Sequence, residues 1–224
     1  GPVVLAPTGV AALNVKGQTI HSFFNFYIDI TPEKIQSKEF KPRAVKIYKS
    51  LKTLIIDEVS MVRADLLDCI ATFLTLYGPN PGHAFGGVQM IFVGDLYQLP
   101  PVVSSLERDI FKTHYPSPYF FSAKAFHDIE LKHVELKTVY RQKDNAFLTL
   151  LNRVRNNTVS PLDLARLNTR LNAEASDNDD FYITLTTTKK KADEINEEHL
   201  GALEGDTICS KAVCGPERSL RPVA

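Results

Sequence analysis

Residues 54–62 read LIIDEVSMV. The run from Leu54 to Ile56 is continuously apolar, which is typical of a strand buried on both faces of a parallel sheet. Two adjacent carboxylates, Asp57 and Glu58, follow at once. Paired acids at the tip of such a strand usually hold a cation, most often Mg²⁺ on a nucleotide. The alternative is that both acids stabilise the N-terminus of the helix that follows them.

Two further strands extend this pattern on either side. Residues 3–6 (VVLA) and 89–95 (QMIFVGD) read as buried strands, and a short apolar helix is predicted at 10–15 (VAALNV). Apolar residues at helical spacing predict a longer helix within 61–77, and 78–87 (GPNPGHAFGG) reads as a turn-rich loop. Buried strands that alternate with helices indicate an α/β fold, with a parallel sheet and helices on both faces.

The second half of the chain predicts another α/β unit. We expect the boundary near residue 138, which divides the chain into 1–138 and 139–224. The predicted elements of this half, in chain order, are a strand and turn at 135–142, helices over 147–154 and 161–172, an acidic loop at 176–180, a strand at 183–188, a helix at 189–203 and a possible strand at 207–213.

Composition excludes several classes of protein. The 26 Lys and Arg residues balance the 26 Asp and Glu residues, so no global positive field attracts nucleic acid, although a local basic groove remains open. No apolar run is long enough to cross a bilayer, and the N-terminus lacks the charged start of a secretory signal. The three cysteines form no metal-binding pattern, and two free thiols at Cys209 and Cys214 are favoured over a disulfide. The scattered histidines predict no zinc centre.

The third strand ends in GDLYQLPPV (94–102), where a parallel sheet binds its ligands. Gly94 permits a sharp turn, and the amide of Gln98 could bind a terminal phosphate oxygen or a hydrolytic water. Pro100 and Pro101 make the segment stiff and extended, which suits the transmission of nucleotide state to a second site. The alternative is an ordinary loop whose prolines only end the strand.

Taken in order, five segments resemble one family. The chain is similar to superfamily 1 DNA helicases, and more closely to their petite-integration-frequency (PIF) branch, which is related to RecD and moves 5′→3′ on single-stranded DNA. The resemblance covers most of residues 3–203. The segments that carry it are APTGVAA (6–12), GQTIHSFF (17–24), LIIDEVSM (54–61), FGGVQMIFVGDLYQLPPV (85–102) and VYRQ (139–142).

The resemblance implies a RecA-like parallel sheet flanked by helices, which uses ATP and Mg²⁺. Residues 1–138 would form a first motor domain without its phosphate-loop segment, and 139–224 would form linker helices and the start of a second RecA-like domain. The resemblance implies that four residues act on the bound nucleotide. Asp57 would be the Mg²⁺ ligand, Glu58 the general base, Gln98 the γ-phosphate sensor, and Arg141 the arginine that reaches the γ-phosphate from the second domain. A guanidinium suits the last role because it forks onto phosphate oxygens.

The same resemblance implies a DNA-binding surface. Hydroxyl groups and exposed amides on the turns after strands can bind backbone phosphates. The residues expected to face DNA are Thr8, Gly9, Thr19, His21, Ser22, Pro101 and Val102. The nearby aromatic residues Phe23, Phe24, Phe26 and Tyr27 are expected to belong mainly to the core, with at most one on DNA.

The resemblance also implies partners and roles. We expect a monomer that binds single-stranded DNA and forked or G-quadruplex DNA, without a membrane partner. Relatives serve DNA repair, recombination and telomere maintenance, so the expected compartment is the bacterial cytoplasm, at the nucleoid, or the nucleus or mitochondrion of a eukaryote.

The family's phosphate-binding loop, GxxxxGK[ST], is missing, because the chain contains no Gly-Lys pair. In relatives that loop precedes APTG, which would put it before Gly1, and later motifs would follow Ala224. We therefore expect these residues to be part of a longer helicase and to be inactive alone. The alternative is a non-hydrolysing nucleic-acid-binding or scaffold module derived from a helicase, and an unrelated nucleotide-binding switch is a third reading.

Overall fold

The computed structural model describes residues 1–37, 39–127, 129–171, 183–203 and 205. In these residues the strands are β1 (Val3–Ala6), β2 (Gln18–Thr19), β3 (Thr53–Ile56) and β4 (Gln89–Phe92). The helices are α1 (Gly9–Asn14), α2 (Ile20–Phe24), α3 (Pro32–Gln36), α4 (Val45–Lys49), α5 (Ala64–Tyr77), α6 (Arg108–His114), α7 (Asn145–Arg155), α8 (Pro161–Asn168) and α9 (Lys189–Gly201). Short 3-10 turns lie at Val59–Met61, Ala84–Gly87, Phe120–Ser122 and Lys124–Phe126.

The strands form one sheet in the order β2-β1-β3-β4, and every neighbouring pair is parallel. Leu5 pairs with Ile56, and Ile56 with Phe92, so the strands end side by side. The predicted parallel sheet with flanking helices is therefore confirmed, with β1, β3 and β4 as the expected strands. β2 was not predicted, because two residues are too short for a periodic signal. We call the line of strand ends after β1 to β4 the carboxyl edge.

The two faces of the sheet are buried to different extents. Leu54 and Ile56 are fully buried, whereas Ile55 between them is only half-buried. On β4, Ile91 is 39% exposed and the following Val93 is 43% exposed. The prediction that QMIFVGD is a buried strand is thus wrong: Ile91 pairs with Ile55, and the described residues cover this face of the sheet only in part. β4 also lies at one edge of the described sheet.

The core lies between the sheet and α5, whose apolar residues recur at positions 67, 70, 71 and 74. Phe73 stands at the centre of an aromatic cluster and contacts Phe24, Phe26, Phe40, Tyr48 and Tyr77, with ring centroids 4.7–6.0 Å apart. Phe24 and Phe26 are buried and Phe23 is half-buried, whereas Tyr27 is 64% exposed. The expectation that most of these aromatics are core is confirmed.

The predicted loop at 78–87 closes under the end of α5. Gly86 has φ +61, and a Cβ there would lie 2.1 Å from the carbonyl oxygen of Leu74. The backbone N–H of Gly78 donates to that same carbonyl (2.8 Å). Only glycine permits both the left-handed backbone and this close approach, so FGG (85–87) anchors β4 beside the helix.

Beyond β4 the helices were predicted better than the strands. α7, α8 and α9 confirm the helices expected in this half, and α8 begins with a capping box in which Ser160 and Asp163 each bind the other's backbone N–H. The strands expected at 135–142 and 183–188 are wrong: both segments lack strand structure. A strand needs a hydrogen-bonded neighbour, and no described residue pairs with either segment. The acidic loop at 176–180, the possible strand at 207–213, and Cys209 and Cys214 lie outside the described residues.

The chain divides into two compact units, Gly1–Thr158 and Val159–Ala224. The division follows α7, later in the chain than the boundary expected near residue 138, so α7 belongs to the first unit. None of the described helices combines the length and the apolar character needed to cross a membrane.

Candidate nucleotide- and DNA-binding edge

The ends of β3 and β4 lie in direct contact at the carboxyl edge. The backbone N–H of Val59 donates to the carbonyl oxygen of Val93 (2.9 Å), and the N–H of Val93 donates to that of Ile56 (2.9 Å). Gly94 then packs against the turn after Glu58: a Cβ at Gly94 would lie 3.0 Å from Val59 Cγ1. The segment that follows β4 is therefore held beside the carboxylate pair.

Asp57 and Glu58 occupy the tip of β3 and are half-buried. Glu58 has left-handed backbone angles (φ 50°, ψ 40°), which a non-glycine residue rarely adopts and which occur often at functional sites. Neither carboxylate forms an ion pair or a side-chain hydrogen bond with the described residues. The helix-cap alternative is not supported, because Glu58 makes no capping hydrogen bond and α5 begins only after Arg63.

The carboxylate pair suits a magnesium–nucleotide complex better than a metal held by protein alone. Within the described residues, no three His, Cys, Asp or Glu side chains cluster to hold a metal. Mg²⁺ typically takes one or two carboxylates and completes its shell with water and substrate phosphates. Asp57 and Glu58, which lack a cationic partner in the described structure, match that donor set.

Gln98 lies in the segment after β4, which we call the Gln98 loop (residues 94–102). A tight turn forms there: the backbone N–H of Gln98 donates to the carbonyl oxygen of Asp95 (3.0 Å), and its side-chain Nε2 donates to Asp95 Oδ2 (3.3 Å). Gln98 is exposed. Its loop therefore begins beside Asp57 and Glu58, through the packing of Gly94.

Two residues at this loop were missed by sequence reasoning. Asp95 organises the turn, and Arg155 at the end of α7 forms an ion pair with Asp95 (3.0 Å). They are 60 residues apart in the chain, so no local pattern could have linked them.

Arg141 is exposed and precedes the N-cap of α7, Asp144, by three positions. It forms no hydrogen bond or ion pair with any residue that the structure describes. The structure thus brings Arg141 into no contact with the carboxylate pair, and its role at the γ-phosphate stays a prediction.

Two of the DNA-facing candidates cap helices at neighbouring strand ends. Thr8 is the N-cap of α1, where its hydroxyl accepts from the N–H of Ala11 (3.3 Å). Thr19 is the N-cap of α2 and accepts from the N–H of Ser22 (3.2 Å). Ala6 pairs with Thr19, so both hydroxyl groups lie at the carboxyl edge. A hydroxyl that accepts in this way keeps its own O–H free to donate to a phosphate.

Gly9 and Ser22 are exposed on the first turns of these helices. A Cβ at Gly9 would meet nothing within 4 Å, whereas one at Gly17 would lie 2.3 Å from the carbonyl oxygen of Val4. Packing therefore requires glycine at position 17 but not at position 9. The open space at Gly9 is available for the close approach of a ligand.

The remaining DNA-facing candidates differ in their exposure. His21 is half-buried, and this burial lowers its pKa below the ordinary value of 6.5, so the ring is neutral near pH 7. Pro101 is buried, while Val102 is 78% exposed. Of these two neighbours, Val102 is thus the side chain with surface available to a base.

Comparisons with known proteins point to one family. A family model described as PIF1-like helicase matches residues 2–163. The ATP-dependent DNA helicase PIF1 of Emericella nidulans is 32% identical over 218 residues, which are 94% of this chain and 27% of the relative. For Pif1 of Campylobacter jejuni the identity is 29%, over 94% of this chain and 47% of the relative.

Solved structures agree as well. Pif1 helicase from Bacteroides in complex with ADP-AlF3 and ssDNA matches with a TM-score of 0.82 and 38% identity, over 92% of this chain and 48% of that one. Pif1 from Candida albicans matches with a TM-score of 0.76 and 29% identity, over 92% of this chain and 45% of that one.

The chain spans between 27% and 48% of the length of these relatives. Its parallel sheet and flanking helices are those of a RecA-like α/β fold, and the family model extends over more than half of its residues. The chain therefore belongs to the PIF1-like helicase family.

Proposed function

We propose that this chain is part of an ATP-dependent 5′→3′ DNA helicase, which couples ATP hydrolysis to translocation on single-stranded DNA and to duplex unwinding. The observation that carries this proposal is the shared carboxyl edge. The carboxylate pair and the Gln98 loop follow β3 and β4, and the capping threonines follow β1 and β2, in one parallel sheet. One rigid element thus holds Asp57, Glu58 and the Gln98 loop next to Thr8 and Thr19.

In the proposed nucleotide site, Asp57 holds the Mg²⁺ that accompanies ATP. When bound, this ion neutralises charge on the phosphates. Glu58 orients the attacking water and accepts its proton, and Gln98 donates to the terminal phosphate or to that water. Arg141 approaches from the C-terminal side of the chain and stabilises the charge that develops on the phosphoryl group. Asp57 and Glu58, which form no ion pair with the described residues, and the exposure of Gln98 support these roles.

In the proposed DNA site, the sugar-phosphate backbone of single-stranded DNA runs along Thr8 and Thr19, the threonines that cap α1 and α2. Thr8 and Thr19 donate their hydroxyl hydrogens to phosphates, Gly9 lets the backbone approach closely, and Val102 presses against a base. His21 and Ser22 add neutral hydrogen bonds.

The DNA side and the nucleotide side are connected through the sheet. The backbone N–H of Asp57 donates to the carbonyl oxygen of Leu5 (2.8 Å). Leu5 lies in β1, two residues before the chain bends at Pro7. A shift of the β3 tip therefore bears directly on the strand that carries Thr8.

The names of the relatives suggest the partners. Bacteroides Pif1 is described as bound to ssDNA in one solved structure, and another is described as showing DNA unwinding at forked dsDNA by two coordinating Pif1 helicases. We propose single-stranded and forked DNA as partners of this chain, G-quadruplex DNA as a further one, and a monomer as the working state. By the same likeness, the whole protein would act in DNA repair, recombination or telomere maintenance, wherever the cell keeps that DNA.

The proposed domain organisation follows the family. Residues 1–138 form the first motor domain, and 139–224 form linker helices and the start of the second. Residues 1–224 alone should not hydrolyse ATP, because they contain no Gly-Lys pair to bind the β- and γ-phosphates. That same feature favours one alternative, a non-hydrolysing module that binds nucleic acid.

A substitution of Glu58 tests the proposal in the protein that contains this chain. Glu58→Gln should keep ATP binding and nearly abolish DNA-stimulated hydrolysis, because the amide cannot accept the proton of the attacking water. Glu135→Gln is the matched control: this glutamate is exposed and forms no hydrogen bond or ion pair with the described residues. Unchanged turnover in Glu58→Gln would remove Glu58 from the role of base. A protein without any DNA-stimulated hydrolysis would favour the non-hydrolysing alternative.

A further inference from the structure

The Asp95 carboxylate binds three partners around the Gln98 loop. Oδ1 accepts from the backbone N–H of Tyr97 (3.0 Å) and from Nη2 of Arg155 (3.0 Å), and Oδ2 accepts from Nε2 of Gln98 (3.3 Å). The guanidinium of Arg155 also lies over the Tyr97 ring, 4.8 Å from its centroid. Arg155 is thus held between a carboxylate and an aromatic face, both supplied by the loop that carries Gln98.

This geometry controls the orientation of the Gln98 amide. One hydrogen of Nε2 is engaged by Asp95, so the other hydrogen and Oε1 are left for a ligand. The bond holds only while Asp95 stays in place, and Asp95 is itself fixed by Arg155. Because Asp95 is partly buried, with 21% of its side chain exposed, its charge is incompletely screened by water.

The negative charge of Asp95 gives a second reason for its ion pair with Arg155. A lone Asp95 carboxylate beside Gln98 would repel the terminal phosphate that Gln98 is proposed to bind. The Arg155 guanidinium is a cation 3.0 Å from Asp95 Oδ1 and offsets the charge of that carboxylate. Arg155 therefore makes the Gln98 loop compatible with an anion.

The contact also joins the loop to a helix. Arg155 ends α7, and α7 begins at Asn145, where Asp144 caps it by accepting from the N–H groups of Ala146 (2.9 Å) and Phe147 (3.0 Å). A helix of 11 residues is a rigid rod about 16 Å long. The segment with Arg141, just before that cap, is therefore mechanically attached to the Gln98 loop at the other end of the rod.

We propose that Arg155 is a positioning residue of the nucleotide site: held by Asp95 and Tyr97, it orients Gln98 towards the terminal phosphate of a nucleoside triphosphate and ties the Gln98 loop to α7. This inference rests on the proposed role of Gln98. It assigns to Arg155 no contact with the nucleotide itself.

The test compares single and double variants of the protein that contains this chain. DNA-stimulated ATPase rates and nucleotide binding are measured for Gln98→Ala, Arg155→Gln and the double variant. Arg155→Gln should lower kcat by about tenfold to a hundredfold, because Gln98 is misplaced, and should weaken nucleotide binding by a smaller factor, because the Asp95 carboxylate then faces the terminal phosphate without its cation. The double variant should be no slower than Gln98→Ala alone, since Arg155 acts through Gln98.

Three further variants serve as controls for the proposed role of Arg155. Arg108→Gln is the charge-matched control, because Arg108 is exposed and forms no hydrogen bond or ion pair with the described residues; it should turn over normally. Arg155→Lys keeps the charge and should recover part of the rate. Asp95→Asn should slow turnover as Arg155→Gln does, and adding Arg155→Gln to it should cost nothing more. Arg155→Gln and Arg108→Gln should unfold at the same temperature.

The contrary outcomes are separable. Normal turnover in Arg155→Gln with impaired Gln98→Ala would overturn this inference and leave the proposed function standing. If the fold-loss of kcat in the double variant equals the product of the two single losses, Arg155 does not act through Gln98. If a lowered unfolding temperature of Arg155→Gln accounts for its lower rate, Arg155 is a structural residue only. Normal turnover in Gln98→Ala would overturn both the inference and the proposed role of Gln98.

Discussion

The backbone N–H of Val59 donates to the carbonyl oxygen of Val93 at 2.9 Å, which ties the turn after Glu58 to the end of β4. This bond lies one residue past the end of β4 and three residues past the end of β3, so contact between the two chain segments extends beyond both strands. The carboxylate pair and the Gln98 loop therefore start from a common, rigid point, and any change that separates the two strand ends should act on both.

Gly94 is the residue whose substitution would separate them. A Cβ at Gly94 would lie 3.0 Å from Val59 Cγ1 and 3.1 Å from the backbone nitrogen of Ser60, so Gly94→Ala must push the two tips apart. We expect a loss of stability of about 1 kcal/mol from overpacking and a clear fall in kcat of the DNA-stimulated ATPase. Gly201→Ala, where a Cβ meets nothing within 4 Å, is the control and should change neither. Wild-type turnover in Gly94→Ala would show that the spacing of the tips is unimportant.

Gly9 should matter for DNA and not for folding. Gly9→Ala meets no atom within 4 Å and replaces glycine in the first turn of α1, so the unfolding temperature should stay the same or rise slightly. Single-stranded DNA affinity, measured by fluorescence anisotropy, should fall because the added methyl group occupies the space proposed for the phosphate backbone. Gly17→Ala should instead destabilise the protein, since its Cβ would lie 2.3 Å from the Val4 carbonyl oxygen. Unaltered DNA affinity in Gly9→Ala would contradict a close approach at this turn.

The hydroxyl of Thr8 has two roles that can be separated. Thr8→Ala should cost about 1 kcal/mol of stability, because the cap of α1 is lost, and should also weaken single-stranded DNA binding. Thr31→Ala is the matched control: Thr31 caps α3 through the N–H of Lys34 (3.3 Å) and does not follow a strand of the sheet. It should cost similar stability and leave DNA affinity unchanged. Equal effects of both variants on DNA binding would mean that stability alone explains the Thr8 result.

His21 makes stability depend on pH in a defined direction. Burial lowers its pKa below 6.5, so the folded protein holds fewer protons than the unfolded chain between the two pKa values. Its stabilising contribution is present above pH 6.5 and is lost as the pH falls through the lowered pKa. Urea unfolding at about pH 7.5 and about pH 5.5 should therefore give a smaller drop for His21→Gln than for wild type. An equal drop in both proteins would show that His21 does not titrate in this environment.

Arg141 is the nucleotide candidate that the described contacts leave unconnected. Arg141→Ala in the protein that contains this chain should lower ATP turnover by roughly three orders of magnitude, as for arginines that stabilise phosphoryl transfer. Lys143→Gln, two positions further along and also exposed, is the control for lost charge and should turn over normally. Equal rates in the two variants would show that Arg141 is a surface arginine.

Local sequence patterns predicted the elements of the sheet and the acids at its edge. Continuous apolar runs identified β1, β3 and β4, and the two acids directly after β3 had to lie where a parallel sheet ends. Helical spacing identified α5, α7, α8 and α9 in the same way. These signals succeeded because each depends on the period of a single segment.

Contacts between distant segments became visible in the folded chain and not in the sequence. The strands expected at 135–142 and 183–188 failed because a strand exists only with a hydrogen-bonded neighbour, which a local pattern does not contain. For the same reason, no pattern revealed that β4 lies at an edge of the described sheet or that Arg155 meets Asp95 across 60 residues. Side-chain periodicity is local, so the sequence alone was enough to identify β1, β3, β4, α5, α7, α8 and α9 and the acids that end β3. The folded chain alone decided which residues became neighbours of those acids and of Gln98, because packing joins segments that the linear order keeps apart.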